Sequence, residues 1–319
     1  MSARVFVACN FPSQVLEPFQ TQFDTTYNDT GRVLTTDELI AGAQGVEALV
    51  VTATDRLDAS VVARLPESIR VVGTYSVGQE HLDVEALGAR GIAVFSTPDV
   101  LDDSCADVAM LLMLGAARRA LEGIELLRSG QWTGWSPRQQ IGHDVWGRRL
   151  GILGMGRIGR AIAQRARGFG MTIHYHNRNR LDPQLELGAQ YHATTHGMAA
   201  QSDFFCVACP STPATRRMVN ADLIAHLPPQ AIVCNIARGD IICDESLVQA
   251  LESGHVAAAG LDVFDGEPNV HPAYRALPNV FALPHIGSST WGTRLAMADR
   301  MCQNLKWFFE GQTSEDRLI

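Results

Sequence analysis

The 319-residue sequence lacks an excess of basic residues, because 26 Lys and Arg stand against 34 Asp and Glu, for a formal net charge of −8. With no long basic run, such a chain is poorly suited to a polyanion, so we expect neither nucleic acid nor an anionic membrane surface as a partner. Residues 1–9 also lack the apolar core and cleavage site of a secretory signal. They predict a first strand instead.

Long apolar runs and a cysteine framework are missing as well. The longest apolar stretch, residues 108–117, is far shorter than the ~18–20 residues of a transmembrane helix, and it predicts a buried helix. The seven cysteines are an odd number and are scattered. Cys206 and Cys209 form C-x-x-C, but they lie in a buried-strand pattern, and no second pair has zinc-finger spacing. We therefore predict reduced thiols, no metal site and a cytoplasmic location.

The most informative motif is a glycine turn. Gly154, Gly156 and Gly159 have the spacing G-x-G-x-x-G, directly after a short apolar strand and before a helix-forming run. This arrangement suits a dinucleotide pyrophosphate, because the first glycine permits a tight turn, the second lets the phosphates approach and the third lets helix and strand pack. Free N–H groups at the helix start add donors, which brings Arg157 and Ile158 into the predicted site. The alternative is a glycine-rich turn without a ligand.

The next strand, residues 171–176, carries a second cofactor signal at its end. An NAD-binding unit normally places Asp or Glu there for the adenosine ribose. Here the strand runs instead into Asn177, Arg178, Asn179 and Arg180. Guanidinium groups form paired, charge-assisted bonds with phosphate oxygens. The loop therefore predicts NADP(H) as the preferred cofactor, with NAD(H) possible; the alternative is two solvated arginines.

Strand and helix patterns alternate in two stretches of the chain, which predicts an α/β fold with two doubly wound parallel sheets. The first stretch has no glycine motif. One long helix, residues 103–129, follows it, and then comes a loop rich in Trp, Gly and Pro at residues 132–137. A final helix, residues 290–311, should return the chain to the first unit. We place a dinucleotide-binding domain at 101–285, inserted into a second domain formed by 1–100 and 286–319.

Three side chains that follow apolar strands form a candidate catalytic set. Arg238, Glu267 and His285 each come shortly after a strand, and ligands bind outside the carboxyl ends of strands in such sheets. Arg can bind an α-keto carboxylate and polarise the keto oxygen. His can deliver a proton, and a carboxylate behind the imidazole fixes its tautomer and favours its charged form. Singly, each has another explanation: a surface Arg, a helix-capping acid or a core His.

From about residue 45 to 310 the chain resembles the D-isomer-specific 2-hydroxyacid dehydrogenase family. The matching blocks occur in the family's order: Ser76-Val-Gly78, the glycine motif, Asn235-Ile-Ala-Arg238-Gly, Gly260-Leu-Asp262-Val with Glu267-Pro268, and Pro284-His285-Ile-Gly-Ser288. The resemblance implies a Rossmann-type domain inserted into a flavodoxin-like substrate domain. It also implies that Arg238 binds substrate, Glu267 supports the histidine and His285 is the acid/base. The backbone amides of Val77 and Gly78 would hold the substrate carboxylate. The cofactor cleft would include Pro210, Ile236, Asp262 and Gly287.

Within the family, the 177–180 loop and the segment 130–137 are most similar to glyoxylate/hydroxypyruvate reductases. There the second tryptophan of such a loop reaches a neighbouring subunit's active site, which makes Trp135 a candidate substrate-binding residue in a homodimer. The alternative is that Trp135 packs on its own domain. We predict NADPH-dependent reduction of a small 2-ketoacid, glyoxylate or hydroxypyruvate. A dehydrogenase for another 2-hydroxy acid, such as phosphoglycerate, and a cofactor-sensing, corepressor-like binding protein are the alternatives.

Overall fold

The computed structural model describes residues 2–319 and divides the chain into two compact units. The first comprises Met1–Leu101 and Ser289–Ile319, and the second comprises Asp102–Ser288. Each unit has its own sheet, and every strand pair within both sheets is parallel. Within the described residues, no helix is both long and apolar enough to cross a membrane.

The first unit is a five-stranded sheet in the order β2-β1-β3-β4-β5. Its strands are β1 (Arg4–Val7), β2 (Asp24–Tyr27), β3 (Ala48–Val51), β4 (Val71–Thr74) and β5 (Ala93–Phe95). Its helices are α1 (Ser13–Gln22), α2 (Thr36–Gly42), α3 (Ala59–Arg64), α4 (Val84–Ala89) and, from the C-terminal segment, α13 (Trp291–Phe309). The strands β3, β4 and the edge strand β5 are wholly buried, as apolar runs in a sheet covered on both faces should be. The strand order is the flavodoxin-like one.

The second unit is a seven-stranded sheet in the order β12-β11-β10-β9-β6-β7-β8. Its strands are β6 (Arg149–Leu153), β7 (Thr172–His176), β8 (Gln190–Tyr191), β9 (Phe204–Val207), β10 (Ala231–Asn235), β11 (Val256–Leu261) and β12 (Val280–Ala282). Its helices are α5 (Asp102–Ala117), α6 (Ala120–Arg128), α7 (Arg157–Gly168), α8 (Pro183–Glu186), α9 (Thr195–Ala199), α10 (Ala221–Ala225), α11 (Asp244–Glu252) and α12 (Pro272–Ala276). Counted from β6, this is the Rossmann order extended by one strand, and the chain crosses over between β6 and β9. The predicted fold class is confirmed.

The single helix predicted over residues 103–129 is wrong. The structure ends α5 at Ala117 and begins α6 at Ala120, and Arg119 between them has a left-handed backbone with φ of 54°. The Arg119 guanidinium binds both carboxylate oxygens of Glu122, at 2.7 and 2.6 Å, and the His143 N–H donates to the carbonyl of Ala117. No Gly or Pro marks this break, which coincides instead with the hydrogen bond from the distant His143.

Two edge strands were absent from the prediction. β2 has the polar sequence DTTY and is mostly exposed, and β8 is only two residues long. Neither shows the apolar run that reveals a central parallel strand. Both are recognised only by their pairing, β2 with β1 and β8 with β7.

Candidate active site

The three glycines of the turn differ in what a Cβ at each position would meet. Gly154 has φ of +99°, and a Cβ there would lie 2.5 Å from the backbone of Cys209. A Cβ at Gly159 would lie 2.3 Å from the Gly154 carbonyl oxygen, which is the close packing of α7 on β6. A Cβ at Gly156 would meet nothing within 4 Å, so the space over this residue is open. No side chain caps α7, whose first N–H groups point out of the helix beside that space.

The loop after β7 is fixed to the glycine turn by Asn177. Its side-chain oxygen accepts a hydrogen bond from the Met155 N–H at 2.7 Å, so this side chain positions the turn. Arg178 and Asn179 are exposed and make no side-chain hydrogen bond or ion pair within residues 2–319. The sequence predicts residues 177–180 as one cofactor-binding loop. In the structure Asn177 supports the glycine turn, whereas Arg178 and Asn179 are exposed.

Arg180 differs from Arg178 because it is held by a buried carboxylate. Its Nε and Nη2 donate to the two oxygens of Glu186 at 2.8 and 3.0 Å, and the Tyr175 hydroxyl donates to Glu186 at 2.6 Å. The hydrogen bonds from Arg180 and Tyr175 lower the pKa of Glu186 to about 2. Both oxygens of this acid are therefore occupied, and it is not presented to a ribose hydroxyl.

This arrangement predicts an acid-dependent loss of stability. The folded pKa of Glu186 lies below its ordinary value of 4.5, so its stabilising effect is complete above about pH 4.5 and is lost as pH falls toward 2. Denaturation curves should show the stability difference between wild type and Glu186→Gln shrinking over that range. Glu252→Gln, which removes an exposed carboxylate of the same unit, should give a difference that stays flat. A pH-independent difference for Glu186→Gln would contradict the assignment.

The structure brings two members of the candidate catalytic set into direct contact. The Nδ1 atom of His285 lies 2.8 Å from Oε2 of Glu267. The other carboxylate oxygen of Glu267 accepts the Phe264 N–H at 2.8 Å, which fixes the orientation of the acid. Since the carboxylate accepts, Nδ1 of His285 carries the proton and Nε2 is directed away from Glu267. The His285 side chain is 42% exposed, so Nε2 is open to a substrate.

The charge state of Glu267 follows from its neighbours. Burial raises the pKa of this carboxyl, but the hydrogen bonds from His285 and Phe264 and the positive charges of His285 and Arg238 outweigh it, and the pKa is lowered overall. The acid is therefore an anion at neutral pH. It can stabilise a protonated imidazole and hold it in one orientation.

His285 has an unusual backbone that Asp262 supports. Its φ is 54°, a left-handed conformation that is rare outside glycine and clusters at functional sites. The two oxygens of the buried Asp262 accept the N–H groups of Ile286 and Gly287, both at 2.8 Å. The Ser104 hydroxyl donates to the Gly287 carbonyl at 2.7 Å. Asp262 and Gly287 were predicted in the cofactor cleft, and these contacts show that both also hold the histidine loop.

Arg238 follows β10 in a loop that Asn235 holds. The Asn235 side chain is buried; its Oδ1 accepts the Ala237 N–H at 3.0 Å, and its Nδ2 donates to the Arg238 carbonyl at 2.8 Å. Arg238 is close enough to Glu267 for its charge to lower the pKa of that acid. Sequence reasoning gave Asn235 no role, although its position at the end of a buried strand beside Arg238 was a usable signal.

The remaining predicted cleft residues also follow carboxyl ends of adjacent strands. Pro210 follows β9 and is exposed, and Ile236 follows β10 and is buried. Because β12, β11, β10, β9 and β6 are parallel neighbours, the segments after them emerge at one edge of the sheet. Arg238, Asp262, His285 and the glycine turn all lie in these segments. All seven cysteines are buried and free of disulfides.

The predicted substrate-binding amides lie in a loop of the first unit, after β4. The Ser76 hydroxyl donates to the Gly78 carbonyl at 2.6 Å, and Thr74 lies 2.6 Å from Ser76 and 2.9 Å from Nε2 of His81. Within the described part of the chain, the N–H groups of Val77 and Gly78 have no hydrogen-bond acceptor. The loop therefore presents two adjacent N–H donors on a hydrogen-bonded frame.

Trp135 is 82% exposed, so it does not pack on its own chain as the alternative interpretation required. The helix α6 before its loop buries no residue either. Exposed apolar side chains concentrate between residues 111 and 146 of the second unit: Leu111, Ile124, Leu127, Trp132, Trp135, Ile141 and Trp146. An exposed apolar surface of this kind is typical of an interaction site.

A Rossmann-order sheet, a glycine turn with open space above it and a carboxylate-supported histidine at the same sheet edge define a dinucleotide-dependent oxidoreductase. The family model of the D-isomer specific 2-hydroxyacid dehydrogenase NAD-binding domain matches residues 110–287, more than half of the chain. The chain belongs to this family. It is therefore an oxidoreductase that binds a nicotinamide cofactor and a small-molecule substrate.

Three relatives illustrate the similarity. A glycerate dehydrogenase of Hyphomicrobium methylovorum is 39% identical over 97% of this chain and 96% of its own. A glyoxylate reductase of Thermococcus kodakarensis is 39% identical over 98% of this chain and 95% of its own. The solved structure of an NADPH-dependent glyoxylate/hydroxypyruvate reductase from Sinorhizobium meliloti, in complex with NADP and malonate, has a TM-score of 0.87 and 35% identity, covering 100% of this chain and 97% of that one.

Proposed function

We propose that the protein reduces a small 2-ketoacid, glyoxylate or hydroxypyruvate, to the 2-hydroxy acid, with NADPH as the preferred cofactor. The observation that supports it best is the 2.8 Å contact between Nδ1 of His285 and Glu267, next to the charge of Arg238. The reductase names of the relatives agree with a ketoacid substrate of this size. The cytoplasmic location stays a prediction.

The chain's own residues would divide the work as follows. Arg238 binds the substrate carboxylate and polarises the keto oxygen. His285 donates the Nε2 proton to that oxygen as the alkoxide forms, and it regains a proton from solvent. Glu267 keeps the imidazole oriented and stabilises its protonated form. The nicotinamide cofactor, when bound, supplies the hydride that reduces the keto carbon.

A separate proposal concerns the N–H groups of Val77 and Gly78, which we expect to bind a substrate carboxylate. Paired backbone N–H donors without other acceptors suit a carboxylate oxygen, since hydrogen bonds to a charged acceptor are stronger than those between neutral groups. Ser76 and Thr74 keep the loop in shape through the bonds described above. This role stays a prediction.

The preference for NADPH is supported by the loop after β7. The residue that would bind a ribose hydroxyl in an NAD-specific unit is not acidic here, and the buried Glu186 has both oxygens occupied. Arg178 is exposed beside the glycine turn and is available to a 2′-phosphate. Arg180 instead binds Glu186 and so holds the loop in place.

Initial rates with a substrate panel test the proposed function. Glyoxylate, hydroxypyruvate, pyruvate and phenylpyruvate should each be assayed with NADPH and with NADH. We expect the highest kcat/KM for glyoxylate or hydroxypyruvate with NADPH. Reduction of hydroxypyruvate gives glycerate, the compound that the name of one relative contains, which supports hydroxypyruvate as the substrate to be tested first. A higher kcat/KM for phenylpyruvate than for either small ketoacid would reject the proposal.

We further propose a two-fold homodimer formed through the exposed apolar surface between residues 111 and 146. Symmetric dimers are the commonest assembly. The apolar side chains there are exposed, α6 buries no residue, and Trp135 would close the neighbouring subunit's substrate pocket. Sedimentation that shows only monomer at micromolar concentration would contradict this assembly.

Trp135→Ala should change substrate choice. A smaller side chain enlarges the pocket, so kcat/KM for glyoxylate should fall relative to that for phenylpyruvate. Pocket contacts of this size are worth ~1–3 kcal/mol, or about 10–200-fold, and we expect the low end of that range. Leu187→Ala, at an exposed apolar side chain of the same unit outside that surface, should keep the wild-type ratio. If dimeric Trp135→Ala keeps it too, Trp135 has no part in the pocket.

A further inference from the structure

A cluster outside the candidate active site consists of His196, Asp222 and His226. One ligand atom from each side chain lies within 4.8 Å of the others. Asp222 lies in the first turn of α10 and His226, four residues later, is the C-cap of that helix with a helical backbone, so the two share one face; His196 lies on α9. All three lie wholly within the second unit and are at least partly exposed.

The hydrogen bonds of the cluster prepare it for a metal ion. Nδ1 of His226 lies 2.8 Å from the Asp222 carbonyl oxygen. A carbonyl only accepts, so Nδ1 carries the proton and Nε2 keeps its lone pair for a ligand. Metal-bound histidines usually donate their second ring N–H to a carbonyl or carboxylate in this way.

His196 and Asp222 are already joined by a hydrogen bond at the position that an ion would occupy. Nε2 of His196 lies 2.8 Å from Oδ2 of Asp222, and the His196 and His226 rings meet edge to face with centroids 4.5 Å apart. Binding would move the His196 proton from Nε2 to Nδ1, and both ligand atoms would then face the ion.

We propose that His196, Asp222 and His226 form a binding site for a borderline divalent ion such as Zn²⁺ that joins α9 to α10. Two imidazole nitrogens and one carboxylate oxygen suit Zn²⁺ and leave the fourth tetrahedral position to water. Tetrahedral Zn²⁺ holds neighbouring ligand atoms about 3.3–3.5 Å apart. Exposed side chains within 4.8 Å of one another reach that spacing by small rotations. The sequence predicted no metal site, because its only metal-like spacing was the buried C-x-x-C pair.

Equilibrium dialysis of the full-length, tag-free protein against Zn²⁺ tests the site. The wild type should bind one more equivalent than His226→Ala, and His196→Ala and Asp222→Asn should each weaken that equivalent at least ~10-fold. His143→Ala, which removes a histidine elsewhere in the same unit, should bind Zn²⁺ as the wild type does. Equal Zn²⁺ binding by His226→Ala and the wild type would overturn the proposal.

Two further measurements test the metal site without relying on enzyme activity. Zn²⁺ should raise the Tm of the wild type and of His143→Ala by mass action, and not that of His226→Ala. Co²⁺ should give a visible absorption band in the wild type that His196→Ala loses. If His285→Gln abolishes the bound equivalent while His226→Ala keeps it, the metal binds at the catalytic histidine and the proposed site is wrong.

Discussion

His285→Gln should retain cofactor binding and lose turnover by ~10²–10⁴-fold, because a positioned proton donor contributes that much to rate. Glutamine preserves the approximate size of the side chain, but it cannot deliver a proton to the keto oxygen. The measurement is kcat for the best substrate of the panel, together with NADPH binding by fluorescence titration. His143→Gln is the control for loss of an imidazole from the same unit, and its kcat should equal that of the wild type.

The companion change is Glu267→Gln, which keeps the geometry and removes the charge behind the imidazole. Its pH profile for reduction should fall off at lower pH than that of the wild type, since the anion no longer stabilises the protonated histidine. A His285→Gln enzyme with nearly wild-type kcat would remove His285 from the proton-transfer step. An unchanged profile in Glu267→Gln would leave the 2.8 Å contact without a catalytic role.

Arg178→Ala should raise the KM for NADPH by roughly 10–150-fold and leave the KM for NADH almost unchanged. A lost hydrogen bond to a charged group costs ~1.5–3 kcal/mol, and only NADPH carries the phosphate. Arg178 is exposed beside the glycine turn, so its removal should not disturb the fold. The measurement is KM for both cofactors at a saturating ketoacid concentration.

Arg180→Ala and Arg275→Ala are the comparison variants for Arg178→Ala. Arg180 binds the buried Glu186, so its removal leaves that acid with only Tyr175 and should weaken NADPH and NADH alike. Arg275→Ala removes an exposed cation at α12 and should change neither KM. An unchanged KM for NADPH in Arg178→Ala would remove the phosphate contact from the proposal.

Some features of the candidate site follow from local sequence patterns, and others depend on tertiary contacts. The Gly154, Gly156 and Gly159 spacing was sufficient to predict a turn between β6 and α7, since the first and third glycines avoid close backbone contacts and the second leaves open space. Asp262 was assigned to the cofactor cleft, yet both of its oxygens hold the backbone after His285. That contact joins segments 24 residues apart, and no local pattern reports it.

The sequence by itself determined the two parallel sheets, the glycine turn and the positions of the candidate catalytic side chains after their strands. Buried parallel strands are apolar runs and the turn needs glycine, so both leave a local record. The tertiary structure decided the break at Arg119, the pairing of Arg180 with Glu186 and the meeting of His196 with His226. The break and the meeting of the two histidines depend on contacts between segments that are distant in the chain. The pair of Arg180 and Glu186 lies within six residues, but it depends on the fold that buries Glu186. None of these contacts requires a residue type that a sequence pattern would reveal. For that reason only the folded chain shows them.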